Sequence, residues 1–158
     1  MRIKRISLFV AAALLMGLTS CLNLEEEPIL LINPTAEISA HIKNQKIFAT
    51  SLVNVNPQVL VAGNLPTLFK FTGELSIYNT ENGDIIDVNA FSGSGLSKVY
   101  SVSAEVMAHD RFVVIASGNI DAFADIGNDE DESNDKLIST GEFYAERQFI
   151  VSDLLDQP

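Results

Sequence analysis

The sequence predicts an all-β protein. From residue 35 onward, short segments alternate apolar and polar residues. Turn signals separate these segments at short intervals. No segment before residue 142 carries a convincing helical period. The length, 158 residues, fits one ordinary domain.

Thr35–Ile42 places Ala36, Ile38, Ala40 and Ile42 on one face, and Asn44-Gln45 is a turn candidate. Lys46–Val55 is rich in β-branched and aromatic residues and is stopped by Asn56-Pro57. Gln58–Ala62 is a short apolar run ended by Gly63-Asn64. Leu68–Tyr78 is the clearest strand, with Phe69, Phe71, Leu75 and Ile77 on one face. Asn82-Gly83 follows, a strong hairpin signal, and Ile85–Phe91 returns. Ser92-Gly93-Ser94-Gly95 reads as a loop, Lys98–Ala104 alternates, and Arg111–Ser117 is apolar on both faces, as a central strand is. Glu142–Ser152 fits two patterns. As a helix it aligns Phe143, Ile150 and Leu154. As a strand it aligns Phe143, Ala145, Phe149 and Val151 at the cost of Arg147, and the strand is favoured. About seven or eight strands joined by turns make a single antiparallel β-sandwich, Ig-like or transthyretin-like.

The N-terminus has a different character. Arg2, Lys4 and Arg5 precede an apolar run from Ile6 to Leu18. That run is shorter than the roughly 20 residues a spanning helix needs. A basic start, a short apolar stretch and small residues at its end form the secretory pattern, so a signal helix that is cleaved away is expected. Leu18-Thr19-Ser20-Cys21 resembles the lipobox of bacterial lipoproteins. The resemblance implies cleavage before Cys21 and a covalent lipid (diacylglycerol, palmitate-type acyl chains) on it. Two or more acyl chains would hold the protein firmly to a membrane.

Loss of residues 1–20 removes Arg2, Lys4 and Arg5 and no acid, which moves the net charge from −11 to −14. A chain this acidic is not a nucleic-acid binder through its overall field. After Cys21, Glu25-Glu26-Glu27-Pro28 reads as a solvated tether. The acidic run also resembles the surface-export signal of Bacteroidetes lipoproteins, and Leu22 is unlike the inner-membrane retention signal. Both imply an outer-membrane or cell-surface location, reached by the general secretory route. The expected organisation is residues 1–20 signal peptide, 21–34 lipidated Cys and tether, 35–152 sandwich with an acidic loop at 118–141, and 153–158 tail.

Chemistry has few footholds. One Cys excludes a disulfide framework and a multi-thiolate zinc site. His41 and His109 are the only imidazoles, and no Gly-x-Ser-x-Gly elbow occurs. Without Trp, a sugar-stacking cleft has little to build on. An enzyme is therefore not expected.

The exception is residues 121–135, where seven of fifteen are Asp or Glu and none is basic. Two readings stay open: a solvated acidic loop, or a cation site. Asp131, Ser133, Asp135, Leu137, Ser139 and Glu142 fall on positions 1, 3, 5, 7, 9 and 12 of a calcium loop. Ca²⁺ takes six to eight oxygens at about 2.3–2.6 Å, which alternate side chains and a bidentate Glu supply. The segment resembles an EF-hand loop over these twelve residues. It departs from one at Lys136, where Gly belongs, and in lacking evident flanking helices.

Two further resemblances concern the sandwich. GELSIYNTENGDIID and RFVVIASGNI resemble strands of the N-terminal β-sandwich of fimbrillins and their anchor lipoproteins. The stretch from Phe112 to Phe143 resembles an acidic-loop β-domain of secreted bacterial lipoproteins and subtilisin-like proteases, with Gly141-Glu142 kept and Asn119-Ile120 departing. Both imply a non-catalytic surface module. The expected function is a binding or structural lipoprotein in adhesion or surface assembly, with a protein partner, the membrane through its lipid, and calcium as candidate cofactor. The alternative is a small-ligand or carbohydrate-binding accessory lipoprotein.

Overall fold

The computed structural model describes residues 27–63, 65–107, 110–126 and 134–155. Nine strands are present: β1 (Ile29–Ile32), β2 (Thr35–Lys43), β3 (Lys46–Asn54), β4 (Pro57–Val61), β5 (Thr67–Asn79), β6 (Ile85–Ser94), β7 (Ser97–Glu105), β8 (Arg111–Ala124) and β9 (Lys136–Ile150). A single helical turn, α1 (Val151–Leu155), follows β9. The all-β sandwich expected from the alternation is what forms.

One sheet runs β6-β5-β8-β9 and the other β2-β3-β7, all antiparallel. β2 lies against β9 and β6 against β7, so the sheets stack face to face. A third, two-stranded unit pairs β1 with β4. β1 leads into β2 and β4 continues β3, so these four strands make one long ribbon interrupted at residues 33–34 and 55–56. The interruption has local causes. Pro34 lacks an N–H for the ladder. Asn56 takes a left-handed backbone (φ 47°), which Asn tolerates better than most residues. Its side-chain amide donates to Thr35 Oγ1 at 2.9 Å and so fixes the bend.

The interior divides into two clusters. Ile38, Ile47, Leu75, Ile77, Phe112, Val114 and Phe149 fill one, and α1 closes it with Val151 and Leu154. Leu30, Ile32, Val53, Val55, Phe69, Phe71, Ile120 and Phe143 fill the other. A row across the larger sheet lies where they meet: Phe91, Gly73, Gly118 and Phe143 are neighbours on β6, β5, β8 and β9, and Phe91 packs against both clusters. A Cβ on Gly73 would meet the Phe91 ring at 2.8 Å, and one on Gly118 would meet the Phe143 ring at 2.8 Å. The two glycines therefore form a floor on which the flanking rings lie.

Several boundaries differ from the sequence expectation. Residues 29–32, assigned to the tether, form β1, because Leu30 and Ile32 bury their side chains on the second cluster. Ser92–Ser94, assigned to a loop, complete β6, and the corner falls on Gly95, whose φ of 122° suits glycine. The acidic loop assigned to 118–141 is shorter. β8 continues through Gly118 to Ala124 and β9 starts at Lys136, paired from Asn119↔Glu142 to Ala124↔Lys136. Arg111–Ser117 is half a strand, because Gly118 is where an aromatic ring crosses it and not where it stops.

Candidate functional site

The edges of a sandwich decide what can add to it, since an edge strand presents unpaired backbone groups. Two of the edges are occupied by side chains. Arg147 points inward from β9 beside Phe143, Ala145 and Phe149, and its Nη1 donates to the Ile38 carbonyl of β2 at 2.8 Å. Asn89 on β6 donates through Nδ2 to the Ser101 carbonyl of β7 at 2.9 Å. Each bond ties the edge of one sheet to the other. Phe91 and Tyr100 close the β6–β7 side further, with ring centroids 3.7 Å apart and planes within 12°.

β4 is different. Among the described residues it pairs with β1 alone. All five of its residues are exposed, including Val59 (59%), Leu60 (59%) and Val61 (52%). Ile29 and Leu31 on β1 are exposed beside them. β1 buries its other face: Leu30 and Ile32 enter the core, and Ile32 packs on Gly141. β1 is thus anchored to the sandwich, and β4 is held by β1. Between Lys46 and Lys70 the chain has no charged residue, nor has it any between Glu27 and Glu37. The β1–β4 pair is an uncharged apolar surface on a strongly acidic protein.

Residues of both charge signs lie in the segments that adjoin it. Asp125, just past β8, donates its backbone N–H to the Pro66 carbonyl at 3.0 Å, in the connection that follows β4. Lys136, the first residue of β9, pairs with Glu27 at 2.8 Å, two residues before β1. Asp121 accepts a 2.7 Å hydrogen bond from the Thr140 hydroxyl. Asp125 Oδ1 is shielded from solvent and has no hydrogen-bond partner among the described residues.

Of the six residues aligned on a calcium loop, four are among the described residues. Asp131 and Ser133 lie outside the described residues, and Asp135 immediately precedes β9. Leu137, Ser139 and Glu142 stand on β9, opposite Phe123, Ala122 and Asn119 of β8. Glu142 is five residue steps along the strand from Leu137, about 16 Å at the usual rise. A calcium loop curls these positions around one ion, whereas Leu137, Ser139 and Glu142 are paired in the ladder to β8, with a register shift between Leu137 and Ser139. No cluster of three or more His, Cys, Asp or Glu able to hold a metal occurs among the described residues.

Cys21 and His109 also lie outside the described residues. His41 is exposed on β2 and stacks on its cross-strand neighbour Phe48, centroids 5.3 Å apart. Sequence reasoning missed the β1–β4 ribbon as a unit. The signal that could have found it was the long charge-free stretch after Lys46 combined with a second one after Glu27.

No protein-family model matches the chain, and no curated protein matches its sequence. No helix among the described residues is long and apolar enough to cross a membrane.

Proposed function

We propose that this chain is a lipid-anchored bacterial envelope protein, attached through Cys21, whose sandwich is a non-catalytic module for surface assembly or adhesion. The observation that carries the proposal is β4: an apolar, exposed strand that pairs only with β1 among the described residues, on a ribbon that starts within a few residues of Cys21. An apolar strand with an open edge is an aggregation hazard unless something is meant to cover it. The two strapped edges, by contrast, are those of a protein that otherwise guards against strand pairing.

Lipid attachment is supported by the basic start, the apolar run and the position of the single Cys. Seven residues, 22–28, separate Cys21 from β1, at most about 25 Å when extended. The ribbon would then work close to the envelope surface. The acidic segment would be held near it through the Glu27–Lys136 pair. Calcium remains a proposal for that segment, and Asp125 Oδ1, which has no hydrogen-bond partner among the described residues, favours it.

The test is fractionation of cells expressing the full chain. Cys21→Ser should move the protein from the membrane to the soluble fraction and abolish incorporation of labelled palmitate. Retention of Cys21→Ser in the membrane fraction would remove the lipid anchor from the proposal.

A further inference from the structure

We propose that the end of the sandwich remote from β1 and β4 binds a neutral sugar residue, in a cavity lined by side-chain amides. This rests on the assignment of the sandwich as an adhesion module and names the chemistry of the surface it adheres to.

The cavity follows from the topology. β2 and β3 meet in a two-residue hairpin at Asn44-Gln45, β5 ends at Asn79, and β7 ends at Glu105. All three arrive at the same end of the molecule. Thr35 of β2 closely follows β1, and Lys43 stands eight residues further along, about 26 Å away at the usual rise. Between the strand ends lies an open cavity of about 510 Å³, the size of a small-ligand site. Backbone bonds tie its walls: the Val106 N–H donates to the Gln45 carbonyl at 3.0 Å, and the Asp110 N–H to the Met107 carbonyl at 3.1 Å.

The polar lining is mostly amide. Asn44 and Gln45 are exposed, and their side chains make no hydrogen bond among the described residues. Asn79 accepts the Glu81 N–H through Oδ1 at 2.8 Å, which leaves its NH2 group for a ligand. Gln45 carries the sharper signal. It takes a left-handed backbone (φ 61°), as Asn44 does (φ 53°). Asn tolerates that conformation and Gly favours it, but Gln has neither advantage. An amide side chain is kept there at a backbone cost that glycine would remove.

This donor set selects the ligand. Each amide offers both donors and an acceptor. Sugar hydroxyls answer both, whereas an ammonium group only donates and a carboxylate only accepts. A peptide main chain offers its groups along a line. A sugar ring offers them around its rim, toward amides that come from two separate connections. The two acids at the cavity do not call for a cation. Glu105 pairs with Lys46 at 3.9 Å, and Asp110 accepts the Met107 N–H through Oδ2 at 2.6 Å. Ile86 and Met107, both exposed, give an apolar wall for the C–H face of the ring.

The side-chain NH2 resonances of the ¹⁵N-labelled full chain, in non-ionic detergent, test this. The probes are the methyl glycosides of glucose, galactose, mannose and N-acetylglucosamine, each up to about 50 mM. At least one is expected to shift the NH2 signals of Asn44, Gln45 and Asn79 saturably and to leave that of Asn119, exposed on β8, in place. Gln45→Gly keeps the turn, since glycine suits a left-handed position, and is expected to bind about tenfold more weakly. No saturable shift at the three amides with any glycoside overturns the proposal. So do equal shifts at Asn119, and so does unchanged affinity in Gln45→Gly. Lysine methyl ester or trialanine shifting these signals where the glycosides do not would assign the cavity to a cation or a peptide and also overturn it. The three amides lie at the opposite end from β4 and do not involve Cys21, so failure here is separate from failure of the anchoring test or of the role of β4.

Discussion

Gly73 and Gly118 face each other across β5 and β8 in the centre of the larger sheet. The space they leave is filled from both sides, by Phe91 over Gly73 and by Phe143 over Gly118, with the two ring centroids 6.1 Å apart. Tyr100 of the opposite sheet stacks on Phe91 and extends the row across the sandwich.

Gly118→Ala should therefore be among the most damaging single changes. Its Cβ would collide with the Thr72 carbonyl oxygen and sit 2.6 Å from Gly73 Cα, both backbone atoms of a central strand. The expected loss is about 3 kcal/mol or more, read as a large drop in the denaturation midpoint. A neutral result would mean that β5 and β8 are further apart than described.

Two hydroxyls next to this row lack partners. Ser51 Oγ and Tyr100 Oη are buried without a hydrogen-bond partner among the described residues, on residues paired across β3 and β7. Ser51→Ala and Tyr100→Phe should each stabilise the fold, on the order of 1 kcal/mol, by removing an unsatisfied polar group. Burial also raises the Tyr100 pKa above 10.0. The neutral phenol is then favoured in the folded state. Its contribution is complete below the unfolded pKa and lost as pH rises through the folded one. The wild type should lose more stability above pH 10 than Tyr100→Phe does in a urea titration at each pH.

Arg147→Met keeps the apolar stem and removes the bond to Ile38 O. The expected cost is about 1–2 kcal/mol, together with concentration-dependent self-association as the β2 edge loses its strap. Sedimentation at rising concentration measures the second effect. An unchanged monomer would show that the bond does not guard this edge.

Glu142→Ala should leave the melting temperature in millimolar calcium equal to that of the wild type, because Glu142 is fixed on β9 opposite Asn119. A calcium-dependent stabilisation that vanishes in this variant would show that the start of β9 rearranges into the twelve-residue loop.

Alternation made the sandwich strands legible. Ile38, Phe71 and Val102 each sit where a period of two puts them, facing the core. Arg147 looked like a defect in β9, and the structure gives it a use that spacing cannot reveal, because its acceptor is a backbone carbonyl 109 residues away in sequence. β1 was illegible for a similar reason. Ile29-Leu30-Leu31-Ile32 has no alternation, and only the ribbon shows which two side chains are inside. The calcium spacing gave no hint that Leu137, Ser139 and Glu142 stand on β9, paired with β8. Of the candidate site, the acidic segment was visible as composition, and the open β4 edge was not visible at all, since an edge is a property of pairing.

Photocrosslinking in intact cells from a photoreactive residue in place of Leu60 is the most direct measurement of the binding role of β4. The same residue in place of exposed Tyr144 serves as the control. The expected result is an adduct from position 60 with a different protein, absent from position 144 and lost when Val59 and Val61 are both changed to Lys. No adduct from position 60, or adducts only with lipid or with a second copy of the chain, would contradict it.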